Sequence, residues 1–112
     1  VLSDPNATAS GGAFFSEGSF TLTRSHLTVI GSAAADGGGF AAGDLNVRQD
    51  SEVVIENVSA KSGAGFVVMG DAYVFDNSMI FIQNARSTKS GGGFRTENGL
   101  KVSNGSRLVI RN

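Results

Sequence analysis

The stretch Ser90-Gly91-Gly92-Gly93-Phe94 decides the fold, because close copies of it recur along the chain. The copies are Gly11-Gly12-Ala13-Phe14, Gly37-Gly38-Gly39-Phe40 and Gly63-Ala64-Gly65-Phe66. The four phenylalanines stand 26, 26 and 28 residues apart. An internal period of this length is typical of solenoids, propellers and other repeat arrays. The chain is therefore predicted to be a repeat protein.

Each phenylalanine is followed by two runs in which apolar and polar residues alternate. In the second copy the runs are Leu45–Val47 and Ser51–Asn57, and the third and fourth copies repeat them. Alternation at period two predicts β-strands, and the abundance of glycine and β-branched residues disfavours helices. We predict three short strands per repeat, and an inward face formed by Leu27, Val29, Val53, Ile55, Ile80, Ile82, Leu108 and Ile110. Asn57, Asn84 and Asn112 are predicted to end the last strand of each repeat and to stack as a ladder.

Equivalent residues at equivalent phases are what stacked coils require. A propeller blade needs around 40 residues, and a leucine-rich repeat would contain helix-forming segments. We therefore predict an all-β fold, a right-handed single-stranded parallel β-helix of about four coils of 26–28 residues. The repeats would be 7–31, 32–57, 58–84 and 85–112, forming one segment, 1–112, of a longer array. Unpaired edges at the two ends of such a segment are expected to cause end-to-end association.

Composition excludes several classes of function. The net charge is −1, from nine basic and ten acidic side chains, which argues against nucleic acid or an acidic lipid surface as the main partner. The chain has no cysteine, so it has neither disulfides nor thiolate metal ligands. No apolar run approaches the roughly 18 residues that a membrane-spanning helix needs, so direct membrane insertion is not expected.

The repeats resemble those of the polymorphic outer-membrane protein family of autotransporter adhesins. The likeness lies in the Gly-Gly-Gly-Phe and Gly-Gly-Ala-Phe motifs and in the endings Ile55-Glu56-Asn57, Ile82-Gln83-Asn84 and Ile110-Arg111-Asn112. The family carries Gly-Gly-Ala-aliphatic and Phe-x-x-Asn motifs on a right-handed parallel β-helix. The resemblance implies an adhesive or structural role at the cell surface, and a large intracellular or organellar assembly is the alternative location.

No residues are predicted to be catalytic, to bind a cofactor or to bind a metal. Pectin-degrading enzymes share the β-helix fold, but their chemistry needs clustered carboxylates, and the acidic residues here are scattered. Asp44 and Asp71 share a phase, which indicates turn residues rather than a calcium site. His26 is the sole histidine and is predicted to lie on the surface. The recurring serines are predicted to fill one turn or ladder position: Ser25, Ser51, Ser78 and Ser106.

An apolar column on the outward side of the last strand is the strongest functional signal. Thr28, Val54, Phe81 and Val109 lie between inward positions, where a solvated face would be polar. The candidate interface residues are Ile30, Val54, Met79, Phe81 and Val109. We expect them to contact another protein or other segments of a longer array.

Two aromatic residues suggest a second kind of function. Tyr73 and Phe75 are two positions apart, hence on one side of a strand, where they would stack on a sugar ring or pack on a partner. The leading hypothesis is a non-catalytic structural, adhesive or linking solenoid. A carbohydrate-binding module is the alternative, followed by a fragment of a polysaccharide lyase or hydrolase.

Overall fold

The computed structural model describes residues 2–3, 12–90 and 92–111. These residues form strands and turns, and they contain no helix long and apolar enough to cross a membrane. The strands are β1 (Leu2–Ser3), β2 (Phe14–Thr23), β3 (His26–Ile30), β4 (Phe40–Arg48), β5 (Glu52–Ser62), β6 (Phe66–Val68), β7 (Asp71–Val74), β8 (Met79–Ser90), β9 (Phe94–Thr96), β10 (Gly99–Val102) and β11 (Arg107–Arg111).

The strand pairs between these elements are all parallel. One sheet, here called sheet A, has the order β1-β3-β5-β8-β11. The other, sheet B, has the order β10-β7-β4-β6-β9, with β2 also paired to β4. Each strand pairs with the equivalent strand of the next repeat, as Val53 does with Ile80 and Ile80 with Leu108. The chain is therefore a parallel β-solenoid of about four turns, which confirms the predicted fold class.

Three strands per coil are separate only in the second half of the solenoid. The third coil has β6, β7 and β8, and the fourth has β9, β10 and β11. In the first two coils the strand after the phenylalanine merges with the next one, giving the single strands β2 and β4. The second coil is one residue shorter than the first and third at this corner: Leu45 follows Ala42 by three positions, whereas the paired Ala72 follows Val68 by four and Phe20 follows Ser16 by four.

The asparagine column bends the chain rather than ending the strand. Asn57 and Asn84 have φ angles of 55° and 54°, and Gly31 adopts 72° at the same phase of the first coil. The Asn84 Nδ2 donates to Asn57 Oδ1 at 3.1 Å, which confirms the ladder. However, β5 and β8 continue to Ser62 and Ser90, so the predicted strand ends are wrong. A left-handed residue turns the strand while the ladder of backbone hydrogen bonds resumes beyond it, and Asn112 lies outside the described residues.

The core is built from files of identical or similar side chains. The rings of Phe14, Phe40, Phe66 and Phe94 stack at centroid distances of 5.0, 5.3 and 5.2 Å, with interplanar angles of 11° or less. Phe40 and Phe66 in the two middle coils are fully buried. Rungs of a parallel sheet are about 4.8 Å apart, so a ring at the same phase of each coil stacks on its neighbours.

The turns that lead from sheet B to sheet A are also joined by hydrogen bonds between neighbouring coils. It uses two consecutive residues of positive φ in three coils: Gln49–Asp50, Asp76–Asn77 and Asn104–Gly105. The first coil is one residue shorter there and has only Arg24 in this conformation. Backbone N–H groups of the turn donate to the next coil, as Asp50 does to the carbonyl of Asp76 at 2.9 Å. The corners are therefore ordered parts of the ladder.

Candidate functional site

The outward side of sheet A, here called the outer face, carries the predicted apolar column. Thr28 pairs with Val54, Val54 with Phe81, and Phe81 with Val109, so the four side chains form one file along the solenoid. Their neighbours Val53, Ile55, Ile80 and Ile82 are fully buried, which shows that the file itself points away from the core. Each member of the file is half-buried by the residues around it.

Two further files flank this apolar file, and only one residue of each was predicted as part of the site. The first contains His26, Glu52, Met79 and Arg107, and the second contains Ile30, Glu56, Gln83 and Arg111. The predicted interface residues Met79 and Ile30 thus lie on the outer face, but on opposite sides of the apolar file. The charged residues of these files could have been predicted to face outward from an alignment of the four repeats, because their positions alternate with the inward ones.

One charged side chain of the outer face packs on the apolar file. The Arg111 guanidinium lies over the Phe81 ring, 5.8 Å from its centroid. The ion pair found in the described part of the chain joins Arg95 and Glu97, so the four outer-face charges of Glu52, Glu56, Arg107 and Arg111 are without an ion-pair partner there.

Tyr73 and Phe75 meet at a cavity on the outward side of sheet B. The cavity has a volume of about 680 Å³ and is lined by Asn46, Tyr73, Phe75, Leu100, Lys101, Val102, Ser103 and Asn104. Asn46, Tyr73 and Lys101 form one file across three rungs. Phe75 lies just beyond β7, which ends at Val74, and is half-buried, whereas Tyr73 is 37% exposed. The aromatic pair was predicted. Asn46 and Lys101 were not, although an alignment of the repeats places both at the same phase as Tyr73.

The fourth coil exposes side chains that are buried in the coils before it. Val102 and Ile110 are 40% and 45% exposed, whereas the equivalent Val74 and Ile82 are fully buried. The outer edges of β10 and β11 have no further strand paired to them in the described residues. This edge presents both apolar side chains and unpaired backbone groups.

The serine column forms a continuous hydrogen-bonded ladder, as predicted. The backbone N–H of Ser25 donates to Ser51 Oγ at 3.1 Å, that of Ser51 to Ser78 Oγ at 3.2 Å, and that of Ser78 to Ser106 Oγ at 3.0 Å. The Ser51 hydroxyl also donates to the carbonyl of Arg48 at 2.7 Å. These hydroxyls satisfy backbone groups at the corner where sheet A begins, which is a structural role.

The remaining polar candidates lie in strands and on the surface: Asp44 is within β4 and Asp71 begins β7, so the turn positions predicted for these two residues are wrong. Asp44 and Asp71 are adjacent in neighbouring coils, and Asp44 Oδ1 accepts a hydrogen bond at 2.8 Å from the backbone N–H of Asp71. His26 is exposed on the outer face. In residues 12–90 and 92–111, no three histidine or acidic side chains are grouped as a metal site would require.

Comparisons with known proteins add no family to these observations. No family model, curated protein or solved structure matches the chain. The resemblance to autotransporter adhesin repeats stays a prediction.

Proposed function

We propose that the chain is a non-catalytic structural or linking solenoid that contacts other proteins through its outer face. The observation that carries this proposal is the apolar file Thr28, Val54, Phe81 and Val109, which extends over four of the five strands of sheet A, β3, β5, β8 and β11. An apolar file on the solvent side of a sheet has no role in the core of its own chain. Contiguous apolar surface that stays partly accessible to solvent, as this file does, is typical of protein interaction sites.

The scaffold beneath the file supports this function. The Phe14–Phe94 stack, the serine ladder and the coil-to-coil turns hold each outer-face side chain at a fixed spacing from the next. A partner therefore meets a preorganised surface, and little conformational entropy is lost on binding. An adhesive role at a cell surface or a linking role in a larger array would both use the surface in this way.

Photo-crosslinking tests the proposal directly. Phe81 is replaced by p-benzoylphenylalanine, which keeps an aromatic side chain in the file, and the chain is irradiated in the cells that produce it. We expect discrete protein adducts, identified by mass spectrometry, that map to a defined surface of the partner.

The matched control carries the same probe at Thr21, which is exposed on sheet B. Adducts at position 81 and not at position 21 support the proposed contact surface. Equal labelling at both positions, or no adduct at position 81, overturns it.

Carbohydrate binding is a second candidate function, favoured by the cavity at Tyr73 and Phe75. Its aromatic rings and the amide and hydroxyl groups of Asn46, Ser103 and Asn104 are the combination with which proteins stack and hydrogen-bond sugar rings. We expect Tyr73→Ala to weaken any glycan binding measured by calorimetry by at least about tenfold. Glycan binding that is the same in Tyr73→Ala and Phe15→Ala would exclude this cavity as its site.

A further inference from the structure

Charge is divided unevenly along the solenoid. Up to residue 84 the chain has three basic and nine acidic side chains, whereas residues 85–112 have six basic and one acidic, together giving the net −1. The strands β3, β5, β8 and β11 of sheet A are here called rungs one to four, after the coils to which they belong. On the outer face the division puts Glu52 and Glu56 on rung two and Arg107 and Arg111 on rung four. Between them lies an uncharged rung of Met79, Phe81 and Gln83.

The outer face is complementary to itself in one orientation. When the rungs of a second copy run in the opposite order and its strands in the same direction, rung two of each copy lies over rung four of the other. Glu52 then faces Arg107 of the second copy, and Glu56 faces Arg111 of the second copy. Because the arrangement is two-fold symmetric, each of these contacts occurs twice.

The apolar file is complementary in the same arrangement. Val54 lies over Val109 of the second copy, and the two Phe81 side chains, each with the guanidinium of its own Arg111 over the ring, flank the symmetry axis. The four charges and the apolar file are thus matched by a single placement of the second copy.

Other ways of placing a second copy on the outer face match the charges less well. If the rungs of the two copies run in the same order, a two-fold axis along the solenoid brings Glu52 to Glu56 and Arg107 to Arg111. Like charges placed opposite each other are destabilising. If the opposed copies are shifted to overlap all four rungs, Glu52 lies over Met79 and Arg107 over His26, so the acidic and basic side chains do not meet.

We propose that this chain pairs with a second copy of itself, outer face to outer face and in opposed rung order, with rung three at the two-fold axis. This inference rests on the proposed function and specifies its partner. The open edges of β10 and β11 at the end of the fourth coil face along the solenoid axis and are not covered by this pairing. Pairing of the outer faces is therefore distinct from end-to-end stacking.

The size of the surface sets the strength of the pairing. Three rungs about 4.8 Å apart, each five residues wide at about 3.3 Å per residue, cover roughly 14 by 16 Å. Such an area is small beside a standard stable interface, so the dimer is expected to have a dissociation constant of about micromolar or weaker. It forms at high protein concentration, and salt weakens it because exposed charges are screened.

Charge reversal tests the pairing. Variant Glu52→Arg/Glu56→Arg and variant Arg107→Glu/Arg111→Glu each place like charges opposite each other in their own dimers. Sedimentation equilibrium at hundreds of micromolar is expected to show dimerisation weakened at least about tenfold in each. Mixed one to one, the two variants regain complementarity on both sides of the axis and form a heterodimer of wild-type strength.

The mixture also controls for folding, since a misfolded variant does not complement another. Wild-type protein that stays monomeric, variants that dimerise as wild type does, or a mixture that stays monomeric would each overturn the proposal. Adducts of the Phe81 probe with other proteins alone would leave the proposed function standing without this partner. No adduct at all would remove the proposed function, whereas sedimentation of the purified protein decides the pairing.

Crosslinking tests the opposed order of the rungs. The chain has no cysteine, so each introduced thiol is unique. A short bismaleimide is expected to join Val54→Cys to Val109→Cys chains efficiently. It should join neither variant to itself, because the two copies of each residue are offset by two rungs, or about 10 Å, along the solenoid. Efficient joining of Val54→Cys to itself would contradict the arrangement.

Discussion

Replacing Phe66 by alanine is expected to cost about 3–5 kcal/mol of folding free energy, a large share of the roughly 5–15 kcal/mol that a domain possesses. The ring is fully buried, and it stacks on Phe40 at 5.3 Å and on Phe94 at 5.2 Å. Its removal leaves a cavity that neighbouring coils cannot fill, since each is held in place by its own backbone ladder. Thermal unfolding followed by circular dichroism measures the loss as a fall in Tm of roughly 4–8 °C for each kcal/mol.

Phe15→Ala is the matched control for this substitution. Phe15 is the next residue after another ring of the stack, but its side chain points outward and is 48% exposed. Its replacement is expected to change stability by less than about 1 kcal/mol. Equal losses in Phe15→Ala and Phe66→Ala would mean that the stacked rings are not the core of the fold.

Gly37→Ala is expected to have the second largest effect, a loss of about 2–3 kcal/mol. Gly37 has a φ angle of 65°, in the left-handed region that side chains with a Cβ rarely adopt. A Cβ at this position would also overlap the backbone carbonyl oxygen of Phe40. The substitution therefore strains the corner that leads the chain into the phenylalanine stack, and chemical denaturation measures its cost.

Gly92→Ala serves as the control at a glycine of the equivalent corner in the fourth coil. A Cβ added there meets nothing within 4 Å, and its φ is outside the left-handed region. We expect a change within about 0.5 kcal/mol. A loss at position 92 as large as that at position 37 would show that the glycines act through general chain stiffness and not through local geometry.

The periodicity of the sequence predicted most of the fold. Phe14, Phe40, Phe66 and Phe94 recur at the interval of one coil, and the structure stacks them as parallel rungs imply. The serines and asparagines were assigned to ladders for the same reason, and both ladders are present. Repetition makes such predictions robust, because one mistaken position is outweighed by its equivalents in the other coils.

The continuation of the strands beyond Asn57 and Asn84 was not predicted. Asparagine is typical of turns and tolerates positive φ, so it indicates a strand end when the sequence is considered locally. In the solenoid the residues after it pair with the adjacent coil, as Val58 does with Ala85. This pairing depends on contacts between distant residues, which local propensity does not report.

The candidate sites were predicted only in part. The apolar residues of the outer face and the pair Tyr73 and Phe75 stand out because apolar side chains at outward positions are unusual. Glu52, Glu56, Arg107 and Arg111 do not stand out, since charge on a solvated face is ordinary. Their importance in the proposed pairing depends on which rung each occupies, and that became evident when the strand register was known.

The central claim is that equivalent residues of successive repeats are direct neighbours in parallel rungs. Nuclear Overhauser effects in isotope-labelled protein detect directly which protons of successive repeats lie close together. The structure predicts contacts between the rings of Phe40 and Phe66, and between backbone protons of Val54 and Phe81, at separations of 26 and 27 residues. Contacts that instead join residues symmetrically across each turn, as in antiparallel hairpins, would contradict the account.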